Sequence, residues 1–252
     1  MARLHRDAEI AGAGCVNAGS VPRITLVLLP GMDGTGDLFD VFVAALGGQF
    51  NIEIVRYRLR EALGYDALEA VARNAIPAHG PWILLGESFS GPIAVSLAAT
   101  SSSELKGVVL CATFVSNPQP LWSGLRGLVP ALPLRFAPAW LVSYLMLGRA
   151  STKSLRAALG AALARVSAVA WQARLNAVLA VDVSSKLAAQ RVPILYLRAQ
   201  RDRLVPAAAS ELIARLAPHA VFALVDAPHS LLQTNPVEAA RMVSEFVRKC
   251  ER

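Results

Sequence analysis

What this chain lacks narrows its chemistry before any motif is considered. Hydrophobic residues make up 54% of its 252 positions, yet no window holds the roughly 18 uninterrupted apolar residues a membrane span requires. Membrane insertion is therefore not expected. Only three cysteines occur (Cys15, Cys111 and Cys250), and none has metal-ligand or C-x-x-C spacing. An odd number without a pairing pattern suits reduced thiols and gives neither a disulfide framework nor a metal centre. The first residues, MARLHRDAEIAG, carry arginines early, but an Asp and a Glu interrupt them before any apolar run of export-signal length. Residues 1–22 are read as a disordered or loosely attached leader, and a cytoplasmic location is expected. Aromatics are only 6% of the chain, and its +7 formal charge comes from arginines scattered singly rather than gathered in a stripe with interleaved rings. That is a solvated basic surface, and no nucleic-acid partner is expected. Internal repeats and low-complexity linkers are absent as well.

What is present is an alternation of apolar runs and helical stretches from residue 23 onward, the pattern of a parallel sheet with crossover helices. The length suits one large α/β domain with a good core. The runs predict strands over 24–29, 52–57, 82–86, 108–111, 194–197 and 221–225. Helices are expected over 66–76, with Asp66 as N-cap, then from Pro92 to about Thr100, over 207–216, and from Pro236 to about Arg248, with Asn235 as N-cap. Residues 114–182 interrupt the alternation. Their first half, rich in proline, aromatics and apolar residues, is followed by a helical region over 151–179. The apolar content argues for a packed helical cap over a pocket. The core is then 23–113 together with 183–252.

The most informative stretch is WILLGESFSGP, residues 82–92. An apolar strand ends in Gly86, Ser88 follows two residues later, and the small residue Ser90 sits two beyond that. This is the layout of a nucleophile elbow, a tight strand-to-helix turn that holds a serine hydroxyl above the sheet edge. The usual spelling ends in Gly, and here Ser90 stands in that place with Gly91 behind it. Ser90 itself makes a poor nucleophile, with Ser88 before it and Pro92 after it where small residues are needed. Pro92 falls in the first helical turn, where its missing N–H costs no hydrogen bond.

A serine hydroxyl needs a general base, a group that orients the base, and donors for the developing oxyanion. Of the four histidines, His5 lies in the leader, His79 in a Pro/Gly loop, and His219 ahead of a strand, at the far end of the sheet. His229 follows the strand 221–225, at the carboxyl edge where functional loops of parallel sheets gather. Asp202 lies just beyond the strand 194–197, in a loop that opens at the same edge. Asp226 is a rival only three residues from His229, and Asp182, at the end of the cap, is a more distant one. The loop LPGMDGTGD after the first strand supplies glycines that let backbone approach a substrate. Its Met32 N–H and the Phe89 N–H are the candidate oxyanion donors. Gly34-Thr35-Gly36 is no phosphate cradle: Phe39 stands where a dinucleotide fingerprint has its third Gly, and no Gly-Lys-Ser/Thr follows.

From residue 23 to its C-terminus the chain resembles the α/β-hydrolase superfamily, in which nucleophile, acid and base follow one another as Ser88, Asp202 and His229 do here. The loop LLPGMDGTGDLF, the elbow GESFSGP and the stretch APHSLLQTNP are similar to those of esterase, lipase and thioesterase members, with Pro-Gly where many relatives have His-Gly. The resemblance implies a mostly parallel sheet with helices on both faces and a cap insertion. It also implies a serine hydrolase that cleaves small-molecule carboxylic esters or thioesters of hydrophobic acyl groups through an acyl-enzyme, without metal or organic cofactor. An acyltransferase using the same three residues and a non-catalytic binding protein on this fold are the alternatives. Haloalkane-type chemistry is disfavoured because the elbow carries Ser and not Asp. Such folds are generic about substrate, so mechanism is better defined than specificity.

Overall fold

A computed structural model describes residues 23–101, 103–120 and 138–251. The expected leader, residues 1–22, and residues 121–137 of the expected cap lie outside the described residues. Six strands form one parallel sheet: β1 (Thr25–Leu29), β2 (Asn51–Ile54), β3 (Trp82–Glu87), β4 (Leu105–Cys111), β5 (Ile194–Ala199) and β6 (Val221–Val225). Their spatial order is β2-β1-β3-β4-β5-β6. The central strands are apolar end to end because both faces are covered, as parallel sheets require. Every residue of β3 is buried. Alternate side chains feed two cores. Val27, Leu29, Leu84, Leu110 and Tyr196 belong to one, and Leu26, Leu28, Ile83, Leu85, Val109 and Leu195 to the other.

Helices α2 (Tyr65–Arg73), α3 (Gly91–Ala99), α7 (Ser184–Ala188) and α8 (Ala207–Leu216) contribute to the first core, while α1 (Asp40–Ala45), α9 (Leu231–Thr234) and α10 (Pro236–Cys250) cover the other. Helix α3 is apolar all round and buried from Gly91 to Ala98, as a helix sandwiched between the sheet and its neighbours must be. Strand β6 is one of the two edges, and Val221, Phe222 and Leu224 on it are exposed.

Between β4 and β5 lie α4 (Ala139–Leu147), α5 (Lys153–Ala164) and α6 (Ala168–Ala180). The segment closes at a neck, where Val183 N–H donates to Val115 O and Asn117 N–H to Val181 O, at 2.8 and 3.0 Å. The helical run expected over 151–179 is broken at residues 165–167. Ser167 caps α6 by accepting from Ala170 N, and its own N–H is drawn to Leu59 O at 2.9 Å. Two other expectations need correcting. Helix α2 begins one residue early, with Gly64 at its N-cap, so Asp66 lies in the first turn and not at the cap. Asn235 is the N-cap of α10 as expected, without a capping bond from its side chain. The strand expected over 52–57 leaves the ladder after Ile54, and Tyr57 N–H instead meets Gly34 O at 2.8 Å.

The chain runs from β1 outward to β2, then crosses back to β3 on the other side of β1. That reversal makes the carboxyl ends of β1 and β3 the topological switch point, the place where ligands of such sheets bind. Register pairs Leu29 with Gly86, so the loop after β1 and the turn after β3 leave the sheet side by side.

Candidate active site

The turn after β3 is strained where the sequence places its serine. Ser88 has φ +50°, a left-handed conformation rare outside glycine and costly enough to persist only where its surroundings enforce it. Several contacts do so. A Cβ on Gly86 would lie 2.8 Å from both Ala94 Cβ and Ser90 O, and one on Gly91 would lie 2.0 Å from Thr113 Oγ1. Strand and helix therefore touch at Gly86, helix and the loop after β4 touch at Gly91, and Thr113, wholly buried on that loop, donates its hydroxyl to Ser88 O. Position 90 has room for a hydroxyl. Ser90 Oγ donates to Pro30 O and accepts from Tyr57 Oη at 2.8 Å, which ties the elbow to the loop after β1. Desolvation raises the Tyr57 hydroxyl well above its ordinary pKa, so it stays a donor.

Ser88 Oγ lies 2.8 Å from His229 Nε2. His229 Nδ1 lies 2.8 Å from Asp202 Oδ2 and 3.0 Å from Oδ1. Asp202 Oδ1 also accepts the Leu204 and Val205 N–H groups at 2.8 and 2.9 Å, so its loop fixes the carboxylate. The carboxylate accepts a hydrogen bond from Nδ1–H, the tautomer that leaves Nε2 as acceptor for the serine hydroxyl. Both side chains are nearly dry, with His229 3% and Asp202 9% exposed. The loop carrying His229 is also tied to the end of α4, where Ser230 N–H donates to Met146 O at 3.0 Å.

The rivals are occupied elsewhere. Asp226 is exposed and paired with Arg201. Asp182 accepts from the Ser184 side chain and from its N–H, which together hold its carboxyl below the usual range. His79 and His219 are exposed, and His5 lies outside the described residues. Buried Ser90 is committed to Pro30 and Tyr57.

In the loop after β1, Gly34 N–H donates to Gly31 O at 3.0 Å and closes a turn over residues 31–34. Asp33 Oδ1 accepts from the Thr35 amide at 2.9 Å and from its hydroxyl. Among the described residues, neither Met32 N–H nor Phe89 N–H donates to a protein acceptor. Sequence reasoning missed three participants. Arg174 on α6 reaches into this loop, Glu87 lies buried beneath it, and Gln233 donates to Glu87 Oε1 at 3.0 Å. The one available signal was Arg174, the only charged residue of its helix. No three His, Cys, Asp or Glu side chains form a metal-binding group among the described residues, and no helix there is long and apolar enough to cross a membrane.

The family model described as the alpha/beta hydrolase family matches residues 26–242. The chain belongs to the alpha/beta hydrolase family. No curated protein matches this alpha/beta hydrolase in sequence. Its fold is similar to that of the enol-lactonase from Burkholderia xenovorans, at TM-score 0.78 and 18% identity over 92% of this chain and 93% of that one. A thermophilic esterase from Thermogutta terrifontis aligns at 0.77 and 19%, covering 92% of each chain. An esterase from Exiguobacterium antarcticum gives 0.78 and 14%, over 91% of this hydrolase and 93% of the esterase. At these identities the likeness is one of fold.

Proposed function

We propose that this hydrolase cleaves carboxylic esters or thioesters through an acyl-enzyme, with Ser88 as nucleophile, His229 as general base and acid, and Asp202 as the group that orients the imidazole. The observation that carries the reading is the unbroken line Ser88 Oγ–His229 Nε2, His229 Nδ1–Asp202 Oδ2, both contacts at 2.8 Å. Ser88 Oγ attacks the acyl carbonyl carbon as its proton passes to His229 Nε2. The carbonyl oxygen becomes an oxyanion held by the Met32 and Phe89 N–H groups. When the tetrahedral species collapses, the proton returns to the departing alkoxide or thiolate, leaving the acyl group on Ser88. Water then repeats the sequence, giving its proton to His229, and the acid leaves as Ser88 regains its hydrogen. No step calls for a metal or an organic cofactor.

The substrate is a small molecule with a hydrophobic acyl group. Two of the structural neighbours bear the word esterase in their names, and a lactone, named for a third, is a cyclic ester. The hydrophobic preference rests on residues 114–182 acting as a cap. Helix α4 there is apolar on all sides, and its end is tied to the loop of His229. A cytoplasmic location completes the reading, consistent with the free thiols of Cys111 and Cys250.

The test is turnover of p-nitrophenyl and coenzyme A esters of graded chain length, with Ser88→Ala in parallel. The variant should lose about four orders of magnitude or more in kcat, and a fluorophosphonate should label the wild-type protein on Ser88. Undiminished turnover by Ser88→Ala would refute the reading. Excess transferred ester over free acid in the presence of an alcohol would make the enzyme an acyltransferase.

A further inference from the structure

Arg174 is 1% exposed, and among the described residues no carboxylate lies within ion-pair distance of it. A guanidinium taken out of water normally finds an anion. This one spends its donors on main-chain carbonyls. Nη1 donates to Met32 O at 2.7 Å and to Asp33 O at 3.0 Å, and Nη2 to Arg58 O at 3.0 Å. Its carbon lies 5.9 Å from the centre of the Tyr57 ring. Only a planar fork can span these acceptors at once. The turn is shaped to receive it: Gly34 has φ +68°, and a Cβ there would lie 2.8 Å from Arg174 Nη1.

The acceptors matter because of which peptides they belong to. The Gly31 carbonyl is turned inward by the Gly34 N–H. All described peptide bonds are trans, so the Met32 N–H points away from that carbonyl. The next two peptide planes, whose carbonyls are those of Met32 and Asp33, are held by Arg174. Three consecutive planes are thereby fixed, and the Met32 N–H has its direction set by a side chain from the insertion between β4 and β5.

Building on the hydrolase reading above, we infer that Arg174 is a positioning residue for the reaction, one that aims the Met32 N–H at the developing oxyanion through its grip on the Met32 and Asp33 carbonyls. It does not touch substrate. The insertion therefore completes the oxyanion site as well as covering it.

The test uses the full chain with Arg174→Lys and Arg174→Met, each normalised to the amount of Ser88 titrated by a fluorophosphonate. Three quantities are read: kcat and KM for a p-nitrophenyl ester, the Ki of the matching trifluoromethyl ketone, which forms a tetrahedral adduct with serine, and the Ki of the matching unreactive carboxamide. Loss of one aimed donor predicts a kcat about 100- to 1000-fold lower in Arg174→Met, with KM within about threefold of wild type. The ketone Ki should rise by the same factor as kcat/KM falls, and the carboxamide Ki should not change. Arg174→Lys, with one compact donor group, should recover part of the loss. An unchanged kcat, a ketone Ki that stays put while kcat falls, or a matching rise in the carboxamide Ki would overturn the inference. So would loss of the fold in both variants, which would assign Arg174 to stability. Ser88→Ala serves as control, and its retained turnover would refute the hydrolase reading itself, an outcome distinct from any of these.

Discussion

Glu87 precedes the strained serine and is buried, with Gln233 donating to one oxygen. Burial is the main cause that pushes its carboxyl from the ordinary 4.5 up to about 7. The Gln233 hydrogen bond opposes the rise, the Asp33 charge adds to it, and His229 and the Gly31 amide act against it. The pair also contains one of the few buried atoms without a partner among the described residues, the acceptor Gln233 Oε1. Glu87→Gln keeps the shape and removes the titration. Because the folded protein holds its proton up to about pH 7 while the unfolded chain releases it near 4.5, the folded state binds more protons between those values, and stability falls as pH rises through that window. At about 1.4 kcal/mol per pH unit, the wild type should lose ~3 kcal/mol relative to Glu87→Gln between about pH 4.5 and pH 8. Above pH 7 the difference should level off. Urea unfolding of both proteins at a series of pH values measures it, because every other titrating group cancels in the comparison. For a chain of this size the matching gap in Tm is roughly 6–12 °C. A gap that does not vary with pH would refute the account of a buried, proton-holding carboxyl.

Other perturbations test the elbow and the proton line. Asp202→Asn should keep the fold but stabilise the wrong imidazole tautomer, lowering kcat by about 10,000-fold, as read from ester turnover and from the rate of fluorophosphonate labelling. Ser90→Gly, which restores the usual spelling of the motif, should remove the Tyr57–Ser90–Pro30 link and cost about 1–3 kcal/mol in urea unfolding, because buried polar groups lose their partner. Gly91→Ala drives a methyl to 2.0 Å from Thr113 Oγ1 and should cost about 3 kcal/mol by overpacking, the upper end of the usual range, seen as a lower Tm. A fully stable Gly91→Ala would mean that helix and loop are free to part.

The sheet was legible because its strands are runs of apolar residues ended by turn chemistry. β6 and α8 fall where periodicity puts them, and the others differ at their ends, as β2 does once Tyr57 turns to the loop after β1. The three site candidates were legible because strand ends and chain order narrow four histidines and several acids to one each. What could not be read depends on partners distant in sequence. Nothing local to Arg174 says that its acceptors lie 142 and 141 residues away. The role of Ser90 likewise needs Tyr57 and Pro30 in place, and the pairing of Glu87 with Gln233 spans 146 residues. The break before α6 was hidden because Ala-rich sequence on both sides favours helix, and a long-range contact from Ser167 to Leu59 decides the matter.

The guanidinium of Arg174 has an implication for recombining such enzymes. Segments inserted after the fourth strand are natural candidates for grafting between scaffolds to change what is accepted. Here the donor segment and the first-strand loop are interlocked, arginine against Gly34, so a graft that brings neither half of that fit would exchange selectivity for speed. Chimaeras should be cut so that both halves travel together.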